Sequence, residues 1–200
     1  MRVSSFLCTA VLALYHHHAM SVELPINQYT AFQTLVNFQI SSIQLPINIE
    51  EEPITLMGTD LNENSVRDDY EETLLKNYQQ PEYVAMGILA AKQWQQIVNI
   101  VSDTDWQASE REAHFMLNTD KAITQCYNNL RKQQPDLFLP ADAYFNTSLR
   151  TAARQAATRK LINAIDKAPH KHMDGLTGKP SCYVFKILFD TYVPENTDLQ

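Results

Sequence analysis

The chain has 200 residues, 44% of them hydrophobic, and a formal net charge of −7. That length buries roughly 70% of the unfolded surface and needs no staple to hold a core, while the acidic balance disfavours nonspecific nucleic-acid binding by the whole chain. Only four glycines occur, Gly58, Gly87, Gly175 and Gly178, too few for glycine-rich phosphate or dinucleotide loops, so Rossmann and P-loop enzymes are disfavoured and helices joined by polar, proline-bearing loops are expected.

Residues Met1 to Ala19 have the outline of a signal peptide. Arg2 supplies a positive start, and Val3 to Tyr15 is apolar and uncharged. That run is too short to cross a bilayer as a helix, and Ala19 is a candidate cleavage residue, with His17 where a small residue is wanted. Two readings stay open. One is export, with a periplasmic or secreted mature chain. The other is an extension ahead of a start at Met20, in a cytoplasmic protein. Without the leader, Cys126 and Cys182 form an even pair that an oxidising compartment would join and a reducing one would leave as buried thiols.

Leu24-Pro25-Ile26-Asn27 returns as Leu45-Pro46-Ile47-Asn48, but one pair of tetrapeptides is no repeat architecture. Between them, Phe32, Leu35, Val36, Gln39 and Ile43 fit a helical face and Val36, Phe38 and Ile40 fit strand alternation equally well; a helix from about Gln28 to Ser41, capped by Asn27, is the expectation. Ile49 to Asn64 reads as an acidic loop. Asp60, Asn62, Asn64 and Glu71 have the spacing of calcium-loop ligands, yet Ser65 stands where that loop needs glycine; a solvated loop is the expectation. Ser65 can cap a helix through Tyr78, with Asp68, Asp69, Glu71 and Glu72 near its positive end.

Pro81 to Gln134 reads as the long helical hairpin around which the chain is built. Pro81 suits the first helical position. Val84, Ile88, Ala91, Trp94, Val98 and Val101 keep a helical rhythm. Ser102-Asp103-Thr104-Asp105 breaks it and offers caps for a second helix, whose apolar face carries Trp106, Ala113, Met116, Ile123, Tyr127 and Leu130. After the Leu137-Phe138-Leu139 tether, Asp142 can cap a helix from Ala143 to about Lys167, with an inner face of Leu149, Ala152, Ala153, Ala156, Leu161, Ala164, Ile165 and Ala168. Tyr183 to Phe189 suits a strand by composition, but a lone strand has no partner, so a final helix is expected. The fold class is therefore mostly α: one irregular bundle of five or six helices over residues 20–193, with a frayed tail at 194–200.

The candidate chemistry is thin. His170, His172 and Asp174 resemble part of the metal motif of the metallo-β-lactamase fold over six residues. Gly175 replaces its next histidine, a helix and Pro169 precede it, and too little chain follows, which excludes that fold. Gly175 to Pro180 echoes a phosphate loop without its glycine spacing or its Ser/Thr. Glu110 and His114 share a helix face and suit a surface pair. Arg150, Arg154, Arg159 and Lys160 offer an anion-binding face on the C-terminal helix. The reading is a noncatalytic protein-binding domain, with no catalytic residue, cofactor or metal assigned and nucleic acid not its partner. The rivals are a small hydrolase or metal-dependent enzyme using His114, His170 and His172, and an intracellular binder of nucleic acid or anionic surfaces through the basic 150–171 segment.

Overall fold

The computed structural model describes residues 24–40, 55–107, 109–165, 176 and 178–193. Among them are seven α-helices and no strand. Met1 to Ala19, the Glu50 to Glu52 run, His170, His172, Asp174 and the 194–200 tail lie outside the described residues.

Helix α1 is Gln28–Asn37, and Asn27 caps it by accepting the Thr30 N–H at 2.9 Å. It ends short of Ser41 because Gln39 turns into the left-handed region, φ 54°, and Ile40 N–H closes back on the Leu35 carbonyl at 2.8 Å. Helix α2, Asp68–Asn77, starts three residues after the expected cap. Ser65 is itself left-handed, φ 65°, and donates its N–H to Asp60 Oδ2. Asp68, Asp69 and Glu71 do lie in the first turn, where the exposed N–H groups favour anions.

Helices α3, Pro81–Ser102, and α4, Glu110–Arg131, are the two long arms read from the sequence. The cap between them is Ser109, not the 102–105 run. Ser109 and Glu112 form a reciprocal capping box, satisfying two free N–H groups at once. Ser109 also holds the Glu112 carboxyl below its usual pKa through two hydrogen bonds.

The expected 143–167 helix is two helices, α5, Pro140–Tyr144, and α6, Ser148–Ile165, which brings six to seven. Pro140 starts α5 at the first helical position, so Asp142 lies inside it. Thr147 then restarts the chain, its Oγ1 accepting the Arg150 N–H at 3.2 Å. A 3-10 turn at Ser181–Tyr183 leads into α7, Val184–Tyr192, a helix as expected.

Helix α3 is the axis of the bundle. Fourteen of its 22 residues are buried, so it is enclosed rather than amphipathic. Helices α1, α4, α6 and α7 all pack on it, and α6 also lies along α4. The α2 contact depends on Gly87. A Cβ there would stand 2.7 Å from both Leu74 methyls, and the close approach lets Tyr70 donate to the Gly87 carbonyl at 3.0 Å. The turn before α7 is fixed to α4 by a disulfide between Cys126 and Cys182, Cα atoms 4.6 Å apart. No described helix is long and apolar enough to cross a membrane.

Candidate interaction surface

The four basic residues read as one face of the last long helix are dispersed. Arg150 and Arg159 are nine residues apart, which places them on opposite sides of a helix, about 180° round. Arg150 is buried, 4% exposed. Its guanidinium donates to Asn146 Oδ1 at 2.7 Å and the Thr55 carbonyl at 3.1 Å, and it lies 3.6 Å from Asp69. Arg154 is paired with Asp120 through both carboxylate oxygens, at 2.8 and 2.9 Å, and stands over the Phe145 ring. Lys160 donates to the Ile100 carbonyl at 2.9 Å. Only Arg159 is exposed. Three of the four cations read as an anion-binding face, Arg150, Arg154 and Lys160, are held in contacts within the bundle.

The acidic partner of Arg150 comes from α2. Asp69 also accepts from Arg67 Nε at 2.8 Å, and Arg67 Nη1 donates to the Tyr144 carbonyl. Two arginines thus flank one carboxylate in the interior. Gly58 makes room for them, since a Cβ at that position would meet Arg67 Cδ at 2.5 Å. The neighbouring Tyr144 hydroxyl is pushed above its ordinary pKa by burial, against the pull of both arginines.

The loop with calcium-like spacing is tied to its own backbone. Asp60 accepts the N–H groups of Asn64 and Ser65, Asp68 that of Leu61, and Asn64 that of Val66. The Asn64 amide donates to Glu71 Oε1 at 2.6 Å, and the Lys92 ammonium reaches the Asn64 carbonyl at 3.3 Å. Burial pushes the Lys92 pKa down, with Asp60 opposing. Among the described residues, no three His, Cys, Asp or Glu side chains stand together as metal ligands. His114 Nε2 lies 3.6 Å from Glu110 Oε1, beyond hydrogen-bond distance, and that oxygen has no hydrogen-bond partner.

What remains conspicuous is α1. None of its ten residues is charged. Ala31, Thr34 and the following Phe38 turn inward. On the other side Tyr29, Phe32 and Val36 are 68%, 65% and 58% exposed. Their spacing of three and four residues forms one stripe along the helix. Gln33 donates to the Tyr29 hydroxyl at 2.8 Å within it. The sequence placed Phe32 and Val36 together on one helical face without saying whether that face is covered. The missed signal was the lack of charge on either side, which leaves periodicity unable to say which apolar stripe faces inward.

Among the described residues, two clefts stand out elsewhere. One, of about 440 Å³, lies between the end of α2, the start of α3 and the connector after α4. The other, of about 240 Å³, is lined by Lys121, Lys179, Gln125 and Ser181 near the disulfide.

No family model, no curated protein and no solved structure matches the chain.

Proposed function

We propose that the chain is a noncatalytic binding protein working outside the cytoplasm, and that it takes a protein partner on the outer face of α1. The observation that carries this reading is the Tyr29, Phe32 and Val36 stripe on a helix without charge. Large aromatic side chains left in water are characteristic of docking surfaces. The absence of ions on α1 defines the partner's chemistry: an amphipathic helix or segment presenting aliphatic side chains, with amides rather than salt bridges at the rim. The Cys126–Cys182 disulfide supports an oxidising compartment.

A photoreactive residue placed at Val36 in the protein's own host tests the docking face. A discrete adduct is expected. The crosslinked protein, purified and titrated, should bind Phe32→Glu about tenfold more weakly or worse, a loss of about 1.4 kcal/mol, with the thermal midpoint unchanged. Equal affinity for wild type and Phe32→Glu, or no adduct, would overturn the assignment. Intact mass before and after reduction tests the compartment; free thiols at Cys126 and Cys182 in freshly isolated protein would sink it.

A further inference from the structure

The smaller cleft has two walls that a covalent bond holds together. One wall is a single face of α4, where Asn118, Lys121, Ala122 and Gln125 follow helical spacing. The other is Leu176 with Lys179, Pro180 and Ser181. This second wall is a closed turn: the Lys179 N–H donates to the Leu176 carbonyl at 3.1 Å, and Gly178 between them is left-handed, φ 74°. It is joined to α4 twice beside the cleft. Asn129 Nδ2 donates to Ser181 Oγ at 3.2 Å, and Cys182 is bonded to Cys126. These ties set the spacing of the walls in the free protein.

Each wall contributes one exposed lysine. Lys179 holds its ammonium 5.1 Å from the centre of the Tyr183 ring, which orients the charge without neutralising it. Among the described residues neither lysine has a carboxylate partner, and no Asp or Glu lines the cleft. Lys76 and Lys186 are the contrast, each paired with an acid one helical turn away. In a chain of net charge −7, two unpaired cations on opposing walls reverse the local sign. The neutral groups beside them also donate: the carboxamides of Asn118 and Gln125, and the Ser181 hydroxyl, whose oxygen accepts from Asn129 while its proton stays available.

The volume, about 240 Å³, lies below the range of sites for drug-sized ligands, so the matching anion is small. A phosphate monoester carries about −1.5 to −2 charge and three acceptor oxygens on one tetrahedral centre. Donors arriving from two directions can all reach it, and lysine pairs with it as a point charge. A carboxylate has two oxygens in one plane, which the fork of an arginine matches better. Ala122, Leu176 and Pro180 leave an apolar patch for a short carbon skeleton. We infer that this cleft binds a small phosphate monoester between Lys121 and Lys179. It is unlike a glycine-rich phosphate loop, because its cations come from two elements far apart in the chain.

The test is calorimetry and phosphorus NMR on the full, oxidised chain with glycerol 3-phosphate, and with inorganic phosphate, succinate and glycerol as comparisons. Saturable binding of glycerol 3-phosphate at least about fivefold tighter than that of succinate is expected, and none of glycerol. Binding of inorganic phosphate as well would support the phosphoryl group as the element recognised. Lys121→Gln/Lys179→Gln should bind the ester at least about tenfold more weakly with an unchanged circular dichroism spectrum. Lys76→Gln/Lys186→Gln removes the same charge elsewhere and should bind as wild type. Phe32→Glu should bind normally too, which separates failure here from failure of the α1 surface. No saturable binding of glycerol 3-phosphate, or a preference for succinate, would overturn the inference. Equal losses in the two lysine variants would also overturn it, since only the overall charge would then be acting.

Discussion

Helices α1 and α6 invert each other. α1 has no charge and leaves three large apolar side chains in water; α6 is rich in cations and buries one of them. On α6 the buried positions are Arg150, Ala153, Ala157 and Leu161, a run of three, four and four that is regular helical spacing. The arginine occupies a core position because a carboxylate and backbone carbonyls meet it there. Leu149, one step round, is 47% exposed. Residue type thus failed to predict burial on both helices, in opposite directions. The lesson is that burial on these helices follows the partner across the interface.

The largest expected effect comes from breaking the buried charge. Asp69→Ala would leave Arg67 and Arg150 without their shared anion, and removing one partner of a buried pair costs about 3–5 kcal/mol. Urea denaturation should show that loss; a change under 1 kcal/mol would mean that the carbonyls of Thr55, Leu56 and Tyr144 suffice. Next comes the disulfide, which closes a 56-residue separation between α4 and the turn before α7. Its reduction should cost about 2–4 kcal/mol, read as a lower denaturation midpoint that oxidation restores, and should leave the α1 surface competent to bind.

Arg154→Ala sharpens the comparison within α6. Its pair with Asp120 is part-exposed, 28% and 19%, and the Trp94 indole still donates to Asp120 when the guanidinium is gone. A loss of about 1 kcal/mol is expected, well below that of Asp69→Ala. The smallest effect belongs to α1: Phe32→Glu should move stability by less than about 0.5 kcal/mol. A loss of 2 kcal/mol there would show Phe32 to be covered and would undo the contrast.

Much of the bundle was legible in the chain. Pro81, the 3.6-residue rhythm of α3 and the alternation of Ala113, Ile123, Tyr127 and Leu130 gave both long helices, because these residues are apolar on the side that packs. Asn27 gave the start of α1, since a side-chain oxygen at a helix start is a local signal. The break before α6 was not legible: Phe145, Asn146 and Thr147 contain no glycine or proline, and the turn is set by packing of Tyr144 and Phe145 against Trp94. Nor was the role of Asp69, whose partner Arg150 lies 81 residues further on. The larger cleft was equally hidden. Its lining comes from two stretches, 77–83 and 134–138, which lie far apart in the chain and meet only in the fold.

The pairing of Trp94 with Asp120 has an optical consequence. The chain has two tryptophans. Trp94 is fully buried beside Tyr144, Phe145 and the Arg154–Asp120 pair, whereas Trp106 sits half-buried in the link between α3 and α4. Iodide can collide with the second and not with the first. Emission that survives the quencher therefore belongs to Trp94, and its colour reports whether α4 and α6 are still closed on α3. The protein carries, without any label, one lamp for its surface and another for its centre.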